Sequence, residues 1–149
     1  SEETTYLMTS LMQTVMDRGT GGSARWKYKF NRPAAGKTGT TQGWSDAWFV
    51  GFTPQIAAGC WFGVDDFRVP LGPGQDGSIA ALPAWARFMK GAHDTLDFPI
   101  QKFEKPSGIQ DIEICSVTKK APVPACPVEK EIFKVGTEPI QKCKVHRTQ

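Results

Sequence analysis

Two neighbouring apolar segments, AWFVGFT (47–53) and IAAGCWFGV (56–64), constrain the fold of this 149-residue chain more than any other feature. Their alternating residues predict two β-strands. A short turn, Thr53-Pro54-Gln55, joins them, so we expect an antiparallel pair, because a parallel crossover needs a dozen or more residues. Apolar side chains stand on both faces of each strand, which predicts that both faces of the sheet are covered.

Two helices and a third strand complete the predicted fold. Leucines and methionines repeat at helical spacing between Thr5 and Arg18, and Gly19 ends that helix. A third strand is expected near 34–41, and a second helix runs from about Ala81 to His93, with Pro83 in its first turn. We therefore predict an α+β fold, in which helices flank an antiparallel three-strand meander.

Composition divides the chain into two predicted domains, 1–94 and 95–149. The first holds all five tryptophans, and the second holds three of the four cysteines and six of the eleven prolines. A net charge of +3 with scattered basic residues gives no reason to expect nucleic acid, and no apolar run is long enough to cross a membrane. The N-terminus is acidic, lacks an initiator Met and does not resemble a secretory signal, which suggests a processed or cut chain.

The letters G-K-T-G at 36–39 allow two interpretations. A phosphate-binding loop needs a glycine where Asn31 stands, and Pro33 removes a backbone donor that such a loop would use. The residues that follow, GTTQGWSDAW, are also a poor start for the helix that a phosphate loop requires. We therefore reject the phosphate-loop interpretation.

The second interpretation is a strand, Lys37-Thr38-Gly39-Thr40-Thr41, that binds a carboxylate. It offers an ammonium group, hydroxyl donors and free backbone N–H groups, and Gly39 lets a ligand approach the backbone. Strict alternation places Lys37 on the face opposite Thr38 and Thr40, so all three reach one ligand only along an edge strand. From these residues alone, a solvated lysine on a threonine-rich strand fits equally well.

Four segments resemble the C-terminal half of the transpeptidase domain of class A (bifunctional) penicillin-binding proteins. They are YLMTSLMQTVMDRGTG, RPAAGKTGTTQGWSDAWFVGFTP, IAAGCWFGVDD and AALPAWARFMKGA, in the order of that family. The resemblance implies the penicillin-recognising serine-enzyme fold and peptidoglycan cross-linking outside the cytoplasm, without a cofactor. In that reaction a serine attacks the D-Ala-D-Ala bond of a stem peptide, and β-lactams trap the acyl-enzyme.

The resemblance also implies residue roles. Lys37 would set the electrostatics of the site and hold the donor carboxylate, while Thr38 and Thr40 would give it hydroxyl hydrogen bonds. The backbone N–H of Thr40 would supply half of the oxyanion hole, and Gly39 would keep the strand uncrowded. Thr41 would belong to the strand end and its turn, either at the rim of the substrate-binding site or in a structural role, rather than to the chemistry.

The family's nucleophile motif S-x-x-K and its S-x-N motif should precede KTG, and neither does so here. The literal match Ser116-Val117-Thr118-Lys119 lies after KTG in a segment that is a poor helix, so we interpret it as coincidence. We expect this chain alone to be inactive and to pair with the missing N-terminal half or a second copy. Membrane attachment is expected only through a missing segment of the parent. A non-catalytic interaction module and a carboxypeptidase- or β-lactamase-like protein remain alternatives.

The tail from 95 to 149 resembles the C-terminal extension of some class A enzymes. Its three cysteines allow one disulfide in three pairings, and we favour Cys126–Cys143 over the pairings with Cys115. The C-x-x-C spacing of zinc sites is absent, and His93 and His146 lack suitably spaced partners. Zinc binding by the tail is an alternative, but the absent spacing disfavours it, and we predict no metal site.

Overall fold

The computed structural model describes residues 1–146. Contacts group the chain into two compact units, Met8–Phe103 and a smaller unit made of Ser1–Leu7 with the chain from Glu104 onward. The compositional boundary at 94/95 lies earlier in the chain, and the assignment of two domains stays a prediction. No helix among the described residues combines the length and the apolar character that a bilayer crossing requires.

The secondary structure follows the sequence pattern closely. The first helix starts earlier than predicted, and the other predicted elements agree to within two residues at either end. The sequence does not predict the π-helical turn, Gly77–Ala81, that leads directly into the last helix, nor the short helix at Ser23–Trp26 and the strands at Ile109–Cys115 and Val128–Lys134. The helices and strands are α1 (Glu2–Arg18), α2 (Ser23–Trp26), β1 (Ala35–Thr40), β2 (Asp46–Phe52), β3 (Ala57–Gly63), α3 (Leu82–Thr95), β4 (Ile109–Cys115) and β5 (Val128–Lys134).

The larger unit contains a three-stranded antiparallel sheet in the order β1-β2-β3. Thr38 pairs with Phe49 across the first ladder, and Phe49 pairs with Cys60 across the second. Short connections between consecutive strands produce this meander, as the sequence predicts. Together with its helices, the sheet confirms the α+β class.

One face of this sheet packs against α3. Trp85 lies at its centre, fully buried, and its indole N–H donates to the carbonyl oxygens of Gly51 at 3.3 Å and Ala58 at 3.1 Å. Phe49 and Phe30 pack their rings against Trp85, with centroids 4.9 and 5.5 Å away. Helix α3 is therefore fixed to the sheet by both apolar packing and hydrogen bonds.

The other face, here called the outer face, is open at its centre in the part of the chain that the structure describes. Trp48, Val50 and Trp61 lie on it and remain 44%, 47% and 44% exposed. The expectation that both faces are covered is therefore wrong for these residues. The alternating pattern correctly predicted apolar side chains on both faces. Cover on the outer face is confined to the end of the sheet, where Ala35 is buried and the Phe103 ring packs against Phe52 with centroids 5.6 Å apart.

The smaller unit contains the two-stranded antiparallel sheet β4–β5, in which Cys115 pairs with Val128. Lys134 on β5 forms an ion pair with Glu3 at 3.7 Å, which joins the first residues of the chain to the same unit. The segment Ser116 to Lys119 forms a turn directly after β4 rather than a helix, as predicted.

Candidate functional site

Strand β1 is the edge of its sheet, because among the described residues it pairs only with β2. Thr41 N–H donates to Asp46 O at 3.1 Å, and Thr53 N–H donates to Ile56 O at 2.8 Å. The first bond makes Thr41 and Asp46 a hydrogen-bonded pair that continues the β1–β2 ladder, and the second does the same for Thr53 and Ile56 in the β2–β3 ladder. Because hydrogen bonds to the two neighbours alternate along β2, the two bonds give the same assignment. By this alternation, the N–H groups of Thr38 and Thr40 point away from β2, toward the free edge.

The Lys37 side chain leaves the backbone on the outer face and bends around the free edge of β1. Its ammonium group donates to the carbonyl oxygen of Thr38 at 2.9 Å and lies 3.4 Å from the Thr38 hydroxyl. The Thr38 carbonyl points to the free edge along with its N–H, so the charge lies where a ligand running along the strand would meet it. The prediction of an edge strand is confirmed. Although Lys37 and the threonines start on opposite faces of the strand, the Lys37 ammonium reaches the edge beside the Thr38 hydroxyl.

The hydroxyls of Thr38 and Thr40 lie on the face that packs against α3. Thr38 Oγ1 is 3.1 Å from Thr20 Oγ1, in the loop after α1. Thr40 Oγ1 accepts a hydrogen bond from the Gly77 N–H at 3.1 Å. Because this bond occupies a lone pair, the Thr40 hydroxyl keeps its own hydrogen for a ligand.

Gly77 lies directly over the hydrogen-bonded pair of Gly39 and Trp48. A Cβ at Gly77 would approach Trp48 O to 2.2 Å and Gly39 O to 2.8 Å, so only glycine fits. Asp76 holds the turn: its carboxylate accepts from the N–H groups of Ser78 at 2.7 Å and Ile79 at 3.1 Å. The Ser78 hydroxyl is the main cause that lowers the pKa of Asp76, so the carboxylate stays charged.

Thr41 serves the turn after β1. Its hydroxyl accepts from the Asp46 N–H and lies beside the Ser45 hydroxyl, both at 2.8 Å. Asp46 in turn accepts from the Trp61 indole N–H at 2.8 Å. These contacts give Thr41 a structural role, and its contribution to substrate binding stays a prediction.

The S-x-x-K match in the smaller unit does not form a nucleophile and base pair. The Ser116 hydroxyl donates to Pro127 O at 3.3 Å, and the Lys119 ammonium pairs with Glu129. Each group is thus directed to a different partner, which supports the interpretation of this motif as coincidence.

The tail cysteines gather at one place in the smaller unit. All are unbonded thiols, and the favoured pair, Cys126 and Cys143, has Cys115 and His146 beside it. The disulfide stays a prediction. The nearby Thr118 hydroxyl, followed by the His146 backbone, lowers the pKa of Cys143 to about 5, and the Cys143 thiol is the main cause that raises the pKa of His146.

The sequence analysis missed Cys115 and His146 as members of this group. It searched for C-x-x-C, whereas the chain carries Cys143-Lys144-Val145-His146, a C-x-x-H pattern. That spacing could have identified His146 as a partner of Cys143, whereas no local pattern indicates Cys115.

Known proteins resemble this chain along nearly its whole length. Penicillin-binding protein 1A of Clostridium tetani is 35% identical over 98% of the chain, and that of Pseudomonas aeruginosa is 37% identical over 88%. The crystal structure of penicillin-binding protein 1A from Haemophilus influenzae covers 96% of the chain with a TM-score of 0.85 and 31% identity.

The match is to one region of longer proteins. The chain spans 19% and 16% of the two sequence relatives and 22% of the Haemophilus chain. The family model for the penicillin-binding protein 1A C-terminal domain matches residues 105–148. The chain belongs to the class A penicillin-binding protein family and corresponds to the C-terminal region of penicillin-binding protein 1A.

Proposed function

We propose that β1 is the carboxylate-binding strand of a peptidoglycan D,D-transpeptidase and supplies half of its oxyanion hole. The observation that carries this proposal is the free edge of β1, where the Lys37 ammonium and the N–H of Thr40 point the same way. The family assignment supports it, because the resemblance of the KTG segment to the transpeptidase domain of that family implies a strand with this role.

Each residue has a separate chemical task. Lys37 attracts the carboxylate of the donor stem peptide, and a charge-assisted hydrogen bond of this kind contributes about 1.5–3 kcal/mol. The Thr40 hydroxyl, oriented by Gly77 N–H, donates to the same carboxylate, and the Thr38 hydroxyl assists it. The Thr40 backbone N–H stabilises the oxyanion of the tetrahedral intermediate, which for one donor contributes about 2.7–4 kcal/mol.

The nucleophile and its base come from elsewhere in the active enzyme. Ser116 and Lys119 are directed to other partners, so we infer that S-x-x-K and S-x-N belong to the N-terminal half of the same parent or to a second copy. The exposed apolar residues of the outer face fit a surface that such a partner covers. The enzyme would act outside the cytoplasm, with membrane attachment through the parent.

A labelled penicillin tests this proposal in a parent protein that carries S-x-x-K upstream of this region. Lys37→Ala should lower the rate of covalent labelling by about 10- to 100-fold, because a charge-assisted bond is lost. Lys102→Ala removes the same charge from another exposed position of the larger unit and should leave the rate unchanged.

Two results would contradict the proposal. Unchanged labelling of Lys37→Ala would show that β1 does not bind the carboxylate. Covalent labelling of the 149-residue chain alone would show that it contains its own nucleophile, and Ser116 would have to be reconsidered. If the parent is never labelled, the non-catalytic module becomes the better interpretation.

A further inference from the structure

Four potential metal ligands converge in the smaller unit. Cys115, Cys126, Cys143 and His146 each offer one ligand atom, and these four atoms all lie within 4.8 Å of one another. The ring Nδ1 of His146 is 3.5 Å from Cys115 Sγ and 3.3 Å from Cys143 Sγ. In a tetrahedral zinc site with Zn–S near 2.3 Å and Zn–N near 2.0 Å, neighbouring ligand atoms stand about 3.5–3.8 Å apart. The two distances from His146 match such a site, and the 4.8 Å limit on the whole set means that a bound ion would have to draw the ligand atoms together by no more than about 1 Å.

The backbone holds the ligands in place from separate segments of the chain. Cys115 ends β4, and its carbonyl accepts from Lys119 N–H at 2.8 Å in the turn that follows. Cys126 lies in a turn closed by its N–H to Val123 O at 2.8 Å. Cys143 N–H donates to Ala121 O at 2.8 Å, and two residues separate it from His146. Convergence of these segments is thus a property of the fold rather than of one flexible loop.

The smaller unit has little else to hold it together. The main hydrophobic cluster lies entirely in the larger unit. In the described part of the smaller unit the buried apolar residues are Ile109, Ile114, Cys115 and Cys143. A two-stranded sheet with so small a core is only marginally stable in water, and small domains of this kind commonly require disulfides or a metal.

A disulfide explains the cluster less well than a metal does. One bond between Cys126 and Cys143 would use two thiols and leave a third thiol and an imidazole packed against it. The Thr118 hydroxyl is also buried, close to the Cys115 and Cys143 sulfurs, and no other group among the described residues accepts a hydrogen bond from it. Such a donor is the kind of outer partner that metal-bound thiolates use.

We propose that Cys115, Cys126, Cys143 and His146 bind one zinc ion, and that this ion stabilises the smaller unit. Three thiolates and one imidazole are soft ligands that select zinc over magnesium or calcium. All four positions of the tetrahedron are filled by the protein, which is typical of a structural site rather than a catalytic one. This proposal stands independently of the transpeptidase proposal and replaces the expectation that the chain has no metal site.

Metal analysis of the whole chain, purified without chelator, gives the first test. We expect about one zinc per chain, and replacement by Co²⁺ should give the strong visible bands of a tetrahedral ion together with thiolate-to-cobalt charge transfer. Denatured protein with chelator should then show all four cysteines as free thiols. Absence of metal with two thiols fewer would overturn the proposal in favour of the disulfide, and an octahedral cobalt spectrum would overturn the assigned ligand set.

Variants identify the ligands. Cys143→Ser should raise the apparent Kd for zinc, measured by chelator competition, by more than about 100-fold, since even outer partners contribute 10- to 100-fold. Cys60→Ser, in β3 of the larger unit, is the matched control and should keep full zinc content. Equal zinc affinity of the two variants would refute the site. The cobalt spectrum of the unchanged chain decides the question even if Cys143→Ser fails to fold.

Discussion

Gly77→Ala is expected to displace the strand that carries Lys37 and Thr40. The added methyl would lie 2.2 Å from Trp48 O, whereas real Cβ atoms essentially never approach closer than 3.0 Å, so the π turn and the sheet must separate by about 0.8 Å. Both contacting atoms belong to the backbone, which cannot rotate away as a side chain can. Strain from such overpacking costs about 1–3 kcal/mol.

The displacement also weakens the hydrogen bond from Gly77 N–H to Thr40 Oγ1, which contributes about 1 kcal/mol. The total expected loss in the free energy of unfolding is therefore about 2–4 kcal/mol. In a parent enzyme, a shift of this size at a substrate-binding strand should also lower the rate of labelling by penicillin, by about 100-fold.

Urea unfolding measures the stability, and Gly91→Ala provides the matched control. Gly91 lies in α3 with no atom within 4 Å of an added Cβ, so the same methyl should stabilise the protein by about 0.5–1 kcal/mol. The reasoning is refuted if Gly77→Ala unfolds at the same urea concentration as the unchanged protein. It is equally refuted if both variants shift the midpoint in the same direction.

Two further predictions concern the core of the larger unit. Trp85→Phe removes the indole N–H that donates to Gly51 O and Ala58 O, and should lower the free energy of unfolding by about 2–3 kcal/mol; an unchanged urea midpoint would contradict this. His93, fully buried, has a pKa lowered chiefly by burial and then by Arg32, and its Nε2 lies 3.1 Å from Thr53 Oγ1. As the pH falls, the unfolded chain takes up the His93 proton before the folded protein does. The contribution of neutral His93 to the free energy of unfolding is therefore complete above about pH 6.5 and is lost as the pH falls toward the lowered pKa. His93→Gln places an amide oxygen near the same hydroxyl and should remove this part of the pH dependence, and equal slopes in the unchanged protein and the variant between pH 7 and 5 would contradict it.

The sheet and its helices could be predicted because their signals are local. Alternation in 47–53 and 56–64, separated by a three-residue turn, leaves few alternatives to a meander. The edge position of β1 also followed from the sequence, since Lys37 and Thr40 can serve one ligand only there. The structure adds the direction in which each N–H points, which depends on register and cannot be obtained from residue types.

The remaining features depend on contacts between distant parts of the chain. The segment GPGQDGS at 72–78 has the composition of a loop, and nothing in it indicates that Gly77 lies on the backbone of β1 and β2. The metal ligands likewise come from three segments up to 31 residues apart, and only the C-x-x-H pair is local. The open outer face could not be predicted either, because the sequence specifies which side chains need cover but not what covers them.

The alternation along β1 has a consequence for genetics. At Thr40 the hydroxyl lies on the face that packs against α3, where it accepts from Gly77 N–H, and the main-chain N–H points to the free edge of the sheet. A substitution that removes the hydroxyl therefore leaves the N–H in place. Only proline lacks the N–H, and proline would also disturb the strand. An alanine scan of β1 would therefore measure the contribution of its side chains alone. The part of the proposed site that the main chain supplies is therefore insensitive to nearly every substitution at Thr40 itself, and only changes that move the strand, such as Gly77→Ala, would reach it.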